Sequence, residues 1–339
     1  MCKKNFLTFV FSVCMMAMCW VPMNGQNSAN RGDVDDDGSV TISDVTELID
    51  YLLSGDPSRV NLEACDVDLD GSVNISDVTV LIDYLLSGNW PASPYEPVIE
   101  TYTVGSVTFD MLLVEGGTFM MGGRVDIDPY VKPWELPVHQ VTLSDFYICT
   151  TEVTQALWRA VMGTSQNPSW FTSANGYTND FNRPVEKVTF AKCQSFITKL
   201  NQKTGKTFRM LTDAEWEYAA RGGKYDHGYM FAGGNDIDEI AWHIDNSGEV
   251  THAVGTKMPN ELGIYDMAGN VGEWCSDWYG LYTEEAQTNP TGPLTGTARI
   301  VRGGSWGQGW RMNRVTYRRE GIPNDDNVNV GLRIAMSAQ

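Results

Sequence analysis

The sequence predicts an α+β protein: a large, irregular domain of short helices and strands set among turn-rich segments, preceded by a small all-α unit. Three observations carry that expectation. Residues 33–54 (DVDDDGSVTISDVTELIDYLLS) return as 66–87 (DVDLDGSVNISDVTVLIDYLLS), an acidic stretch followed each time by apolar residues at helical spacing. From residue 101 onward, alternating strand-like runs, amphipathic stretches and paired glycines succeed one another without a repeat. Between these regions the stretch NWPASPYEPVIE carries three prolines and no period, and residues 89–103 read as a semi-stiff linker.

Within the repeat, acids fall on alternate residues. Asp33, Asp35 and Asp37 recur as Asp66, Asp68 and Asp70, Gly38 recurs as Gly71, and Asp44 as Asp77. Acids at loop positions one, three, five and twelve with glycine at six form a calcium-loop pattern: alternate carboxylates turn toward one ion and the glycine permits the bend. Ser39 and Ser72, at position seven, would give their carbonyls, and Thr41 and Asn74 would reach the ion directly or through water. A helix follows each loop, predicted by Val45, Leu48, Ile49, Leu52 and Leu53 and by Val78, Leu81, Ile82, Leu85 and Leu86. No clear helix precedes either loop, and position twelve is Asp, not the Glu of ordinary EF-hands. A unit of about 60 residues has little core, so its folding would be coupled to Ca2+ binding.

Loop-then-helix, twice, with Asp at position twelve, resembles a type I dockerin over residues 31–88. That resemblance implies docking onto a cohesin-like protein, with the helix starts at Ile42-Ser43 and Ile75-Ser76 contributing to recognition. A calcium-stabilised unit with no partner is the alternative.

Composition bounds the rest. The 339 residues are 42% hydrophobic and 11% aromatic, with a formal net charge of −19. That balance excludes nucleic acid as a partner, because phosphate binding needs clustered Lys and Arg. Residues 31–90 hold 14 acids against Arg31 and Arg59, so the acidity is concentrated where cations are expected. Lys3 and Lys4, an apolar run from Phe6 to Val21, then Met23-Asn24-Gly25 read as a signal peptide over 1–25. Cleavage after Gly25 is expected; lipid attachment at Cys19 fits poorly behind Met18. No later stretch is long and apolar enough to span a bilayer, so the expected location is secreted, periplasmic or cell-surface. Cys65, Cys149, Cys193 and Cys275 remain after cleavage, widely separated and without CxxC spacing, and read as buried free thiols.

In the larger domain, residues 104–337, Val153, Leu157, Ala160 and Val161 predict a helix ending at Gly163, and Phe190, Cys193, Ile197 and Leu200 predict another. Thr212-Asp213-Ala214-Glu215 is a capping box, which assigns Asp213, Glu215 and Glu217 to a helix start and surface. The stretch Gly263–Trp278 (GIYDMAGNVGEWCSDW) sets Asp266 and Glu273 on either side of Gly269-Asn270, so that both acids could converge on one cation. A tight turn with solvated acids is the other reading of that spacing.

This stretch resembles the GLYDMxGNVWEW segment of the formylglycine-generating enzyme family, the sulfatase-modifying factors. LVEGGTFMMG, ELPVHQVTLSDFYICTTEVT, RMLTDAEWEYAARGG, VRGGSW and GLRI extend the resemblance over roughly 105–336 in the family's order. It implies an irregular, C-type-lectin-like α+β fold. It also implies a calcium site with side-chain ligands Asp266 and Glu273 and carbonyl ligands Gly269 and Val271.

The family's oxidases bind copper with two cysteines after RGGSW, since soft thiolates suit Cu(I). Here those positions fall at Gln308 and Asn313, and no cysteine follows Cys275. Gly272 replaces a usual tryptophan, which would remove a wall of the substrate cleft. The four histidines show no ligand spacing, and no P-loop, GxSxG or HExxH is present. Aromatic and basic residues near the chain end, Trp306, Trp310, Asn313, Tyr317 and Arg318 among them, suit a glycan or protein ligand; a core role for the aromatics is the alternative. Three readings stand: a non-catalytic ligand- or protein-binding module in a surface or glycan-degrading assembly; an enzyme of the same fold with altered residues, in sulfatase maturation or glycan metabolism; and a retroelement-diversified ligand-binding surface protein.

Overall fold

The computed structural model describes residues 31–68, 73–88, 90, 97–126, 128–178 and 180–338. The expected signal peptide, Asp70 and Ser72 lie outside the described residues.

In the repeat unit, α1 (Ile42–Ser54) and α3 (Ile75–Ser87) begin and end alike. The Thr41 and Asn74 side chains accept from the amides of Ser43 and Ser76, while Asp44 and Asp77 reach back to the amides of Thr41 and Asn74, both at 2.7 Å. These reciprocal caps satisfy amides that a helix start leaves unpaired. Gly55 and Gly88 close the helices in the left-handed conformation, φ 69° and 72°. Val34, Val45, Leu48, Cys65, Val67, Val78 and Leu81 form the core. A single turn, α2 (Leu62–Cys65), precedes the second loop, where no clear helix was expected. The apolar stripes also divide. Val45, Leu48, Val78 and Leu81 point inward, but Leu53 and Leu86 are 83% and 82% exposed and Ile42 and Ile75 both 70%. Each helix therefore carries a second apolar edge that the small core leaves uncovered.

The larger domain is built on three sheets. The first has the order β1 (Ile99–Val104), β2 (Val107–Val114), β5 (Phe146–Cys149), β12 (Ile334–Ser337), β6 (Phe208–Met210). The second runs β10 (Arg318–Gly321), β9 (Arg299–Arg302), β7 (Gly272–Trp278), β11 (Val330–Gly331), and the third β3 (Thr118–Met121), β4 (His139–Thr142), β8 (Gln287–Thr288). Strand β1 lies inside the stretch expected to be linker. The last proline is Pro97, after which the chain pairs without a break from Ile99↔Leu112 to Val104↔Val107.

Helices α4 (Gln155–Met162), capped by Gly163, and α5 (Phe190–Thr204) pack on one face of the first sheet, with Met111, Cys149, Phe208, Met210 and Ile334. Their sequence neighbours Leu112, Ile148, Leu211 and Ala335 serve the opposite cluster, as alternation along a strand requires. There α6 (Asp213–Ala220) is enclosed on every side; α7 (Ile237–Ile240) is a short outlying turn. The expected capping box is present, but Asp213 and Glu217 are not on a helix surface. Both are buried against Arg302, because β3, β7 and β9 surround the helix. All four cysteines described are buried free thiols. Among the described residues, no helix is long and apolar enough to cross a membrane.

Candidate functional site

Three places bring chemistry-bearing residues together. In the first repeat loop, carboxylate oxygens of Asp33, Asp35 and Asp37 lie within 4.8 Å of one another, and in the second those of Asp66, Asp68 and Asp77 do. Asp44 stays outside the first group, its oxygens accepting from the amides of Asp35 and Thr41. Asp77 is fully buried, and burial, with Asp68 and Asp66 adding repulsion, pushes its pKa to about 6. Converging acids of one sign, one of them desolvated, fit a divalent cation, which would reverse that penalty. In the first loop the Ser39 amide donates to Asp37.

The second place is the Asp266 loop. Its backbone is held at positive φ at Asp266 (57°), Gly269 (82°) and Asn270 (50°). A Cβ at Gly269 would meet the Trp242 carbonyl oxygen at 2.4 Å, so only glycine fits there. Asp266 is buried. Its Oδ2 accepts from the Gly255 amide at 2.7 Å and its Oδ1 has no partner. Burial pushes this carboxyl to about 6. Glu273, expected as an ion ligand beside Asp266, is instead held by Arg333 (2.7 Å) and by the Trp216 indole (2.7 Å).

The acid that joins Asp266 is Glu152, whose oxygens accept from the Val271 amide (2.9 Å) and the Asn270 side chain (2.8 Å). Burial, then Asp266 and Glu273, hold its pKa well above the ordinary range. Glu152 escaped sequence reasoning because it lies more than a hundred residues away, with no spacing signal. Three buried carboxylates thus face one guanidinium, and one buried oxygen is orphaned. The carboxylates of Asp266 and Glu152, oxygen donors buried together, fit a hard cation.

The third place follows β9. Gly303 and Gly304, φ 90° and 71°, turn the chain so that Gly304 packs directly on Asn313. Ser305 Oγ lies 3.3 Å from Gln308 Oε1, and the Asn313 side chain donates to the Gly309 carbonyl at 3.0 Å. Asn313 is fully buried with its Oδ1 unpartnered. Arg318 is buried as well, paired with Asp213 at 2.9 Å and lying over the Tyr282 ring. Neither can present itself to a ligand as expected: the first braces the glycine turn, and the second neutralises a buried acid.

Trp306, Trp310 and Tyr317 are half-buried. Trp310 meets Tyr130 edge-on at 4.8 Å, and Trp306 meets Phe171 at 5.1 Å. Trp170, next to Phe171 in sequence and about half exposed, was not foreseen. Nor does Gly272 leave an opening. A Cβ there would come within 2.9 Å of Val301 and 3.1 Å of the Gly304 oxygen, so the chain has closed over the place.

Paired acidic loop–helix units joined to an irregular α+β domain, organised around a glycine turn and a buried acid–arginine centre, define a two-part class: a docking unit fused to a domain of the sulfatase-modifying type. The chain belongs to the sulfatase-modifying factor enzyme 1-like family, whose domain matches residues 97–338; residues 31–86 match the dockerin type I domain. It is 33% identical to the chaperone protein LppX of Paenibacillus barcinonensis, over 68% of this chain and 91% of that one. To the formylglycine-generating enzyme of Streptomyces coelicolor it is 30% identical, over 66% and 88%. Among solved structures it resembles Treponema denticola variable protein 1 (TM-score 0.63, 34% identity, 72% of this chain and all of that one). PvdO from Pseudomonas aeruginosa is similar at TM-score 0.59 and 26% identity, with the same coverage. Dockerin type I domains generally bind calcium and dock onto cohesins.

Proposed function

We propose that this protein is an exported, calcium-binding adaptor. Its dockerin attaches it to a cohesin-like partner, and its larger domain holds a ligand or protein without the copper chemistry of the family's oxidases. Calcium would order both repeat loops and occupy the Asp266–Glu152 centre. The signal-like segment at residues 1–25 supports a secreted, periplasmic or surface location.

One observation carries the non-catalytic reading. Gln308 and Asn313, both neutral amides, stand at the two positions where the oxidase chemistry needs thiolates, and Cys149, Cys193 and Cys275 are buried in the core. Amides are harder ligands than thiolates and do not hold Cu(I). Incubating the copper-loaded protein with a Cys-x-Pro-x-Arg peptide under oxygen should leave the peptide mass unchanged. Any formylglycine product would refute the reading and restore an enzyme with altered residues.

A second reading, a diversified ligand-binding protein, is favoured by the likeness to Treponema denticola variable protein 1 across that chain's whole length. Substitutions among sister strains clustered at Trp310–Arg319 would support it; an even spread would not.

A further inference from the structure

Arg302, Arg314, Arg318 and Arg333 are each buried against a carboxylate. Arg299 is different. Its Nη1 donates to the Ser276 carbonyl, its Nε is buried without a partner, and among the described residues no carboxylate comes within salt-bridge distance. Two rings hold the group in place: the guanidinium carbon lies 3.4 Å from the centroid of Trp278 and 4.4 Å from that of Phe190. The acid that acts on it, Asp277, does so through space and not as an ion pair, so in a chain of net charge −19 this fixed cation has no directly paired carboxylate. Burial also weakens its hold on the proton, so an anion beside it would be stabilising.

Arg299 lines a cavity of about 760 Å³ between α5, β6 and the segment 289–291, whose lining shares no residue with the Trp306 face. That volume is in the range of small-ligand sites. The wall is mixed. Phe190, Ile197 and Phe208 contribute apolar edges, while Gln194 and Thr291 contribute exposed polar groups. The other cation in the wall, Arg209, is already held by Glu215 through two contacts of 2.7 Å. Asp145 stands at the exposed rim, accepting from the Gly116 amide. Arg299 is therefore, among the described residues, the wall cation with no carboxylate paired to it at salt-bridge distance, set beside the apolar edges of Phe190, Ile197 and Phe208 and the polar groups of Gln194 and Thr291.

We propose that this groove binds an acidic sugar, its carboxylate against the Arg299 guanidinium and its ring along the Phe190–Phe208 side. A planar guanidinium matches a carboxylate in geometry as well as charge, and the polar groups suit sugar hydroxyls. The site is separate from the Trp306 face and does not depend on cohesin docking, so its failure would leave the adaptor reading standing.

The probe is digalacturonate, titrated into the full chain with calorimetry and with NMR of the arginine Nε–Hε signals. Saturable binding is expected, weakened by salt, with a shift of the Arg299 signal and an affinity for neutral lactose at least about tenfold lower. Arg299→Gln should weaken binding by about tenfold or more, and Arg299→Lys, which keeps the charge and loses the planar fork, should weaken it less. No saturation, equal affinity for lactose, or unchanged affinity in an Arg299→Gln protein of native Tm each overturns the proposal. Should that variant fail to fold, the wild-type protein decides: an unmoved Arg299 signal on titration refutes the site.

Discussion

Single residues at the centre of the larger domain act through charge pairs that the surrounding chain has taken out of water. Arg302 is fully buried and donates to Asp213, Glu217, the Tyr282 hydroxyl and the Val315 carbonyl. Burial opposes ionisation of Asp213, but Arg302 and Arg318 outweigh it and hold its pKa below the usual value. Such a pair adds little over a well-packed apolar substitute, yet removing one member strands the other. Arg302→Met should therefore cost about 3–5 kcal/mol, measured as a fall in the denaturation midpoint. Arg124→Ala, which breaks the exposed pair with Asp126, should leave the midpoint in place. A small effect of Arg302→Met would mean that Arg318 and Arg221 already satisfy the acids. Sequence showed Thr212-x-x-Glu215 as a cap because that signal lies within one turn. Glu217 has a local partner in Arg221 four residues on, but Arg302, which binds both Asp213 and Glu217, sits 89 and 85 residues away, beyond any local pattern. Glu152 was hidden for the same reason, and Arg318 was misread as a surface group because its acid is equally remote.

At the scale of elements, legibility followed the distance over which a signal acts. Helices α1, α3, α4 and α5 were readable from apolar periodicity, and α4 also from its terminal Gly163, both local signals. The sheet orders were not: β12 inserts between β5 and β6, and β11 pairs in parallel with β7. Strand β1 was taken for linker because its prolines ended just before it. One segment has a pH response built into its anchoring. Glu186 Oε1 accepts from the amides of Trp170 (2.6 Å) and Phe171 (3.1 Å), which fixes the segment whose Phe171 ring meets Trp306, while Oε2 is buried without a partner. Burial pushes this carboxyl to about 7. A carboxyl raised on folding binds more protons in the native state, so stability falls as pH rises from its ordinary value of about 4.3 to about 7. The full cost stands above that, up to about 3 kcal/mol. Glu186→Gln keeps the acceptor and removes the charge. Its midpoint should exceed that of wild type at pH 8 and match it near pH 4, with slower exchange of the Trp170 and Phe171 amides at the higher pH. Equal midpoints at pH 8 would show that water or a cation already compensates Oε2.

For the molecule as a whole, the distribution of charge decides what holds each part together. The repeat unit gathers 14 acids and two arginines within residues 31–90 around a core that, among the described residues, holds seven buried side chains, whereas the larger domain has two extensive apolar clusters. The convergence of acids in the repeat loops was legible because they recur at fixed spacing. The exposed edges Ile42–Leu53 and Ile75–Leu86 were not, because helical period alone does not say how much of a stripe a small core can cover. Those duplicated edges are the surface that a docking partner would bury, and on the calcium-coupled reading they would depend on the loops that fix the helix starts. Chelation should accordingly remove a low-temperature melting transition and part of the helical circular dichroism, while the aromatic signal of the larger domain persists. Asp35→Ala with Asp68→Ala should reproduce this in the presence of calcium, and Asp266→Asn should bind fewer ions while keeping the low transition. A partner recovered from source-cell extract should be lost on chelation and on deletion of residues 31–90. An unchanged low transition in chelator would remove calcium from the account of the repeats. A partner retained by the deleted chain would move recognition to the larger domain, where Trp170 and Trp306 are the first side chains to truncate.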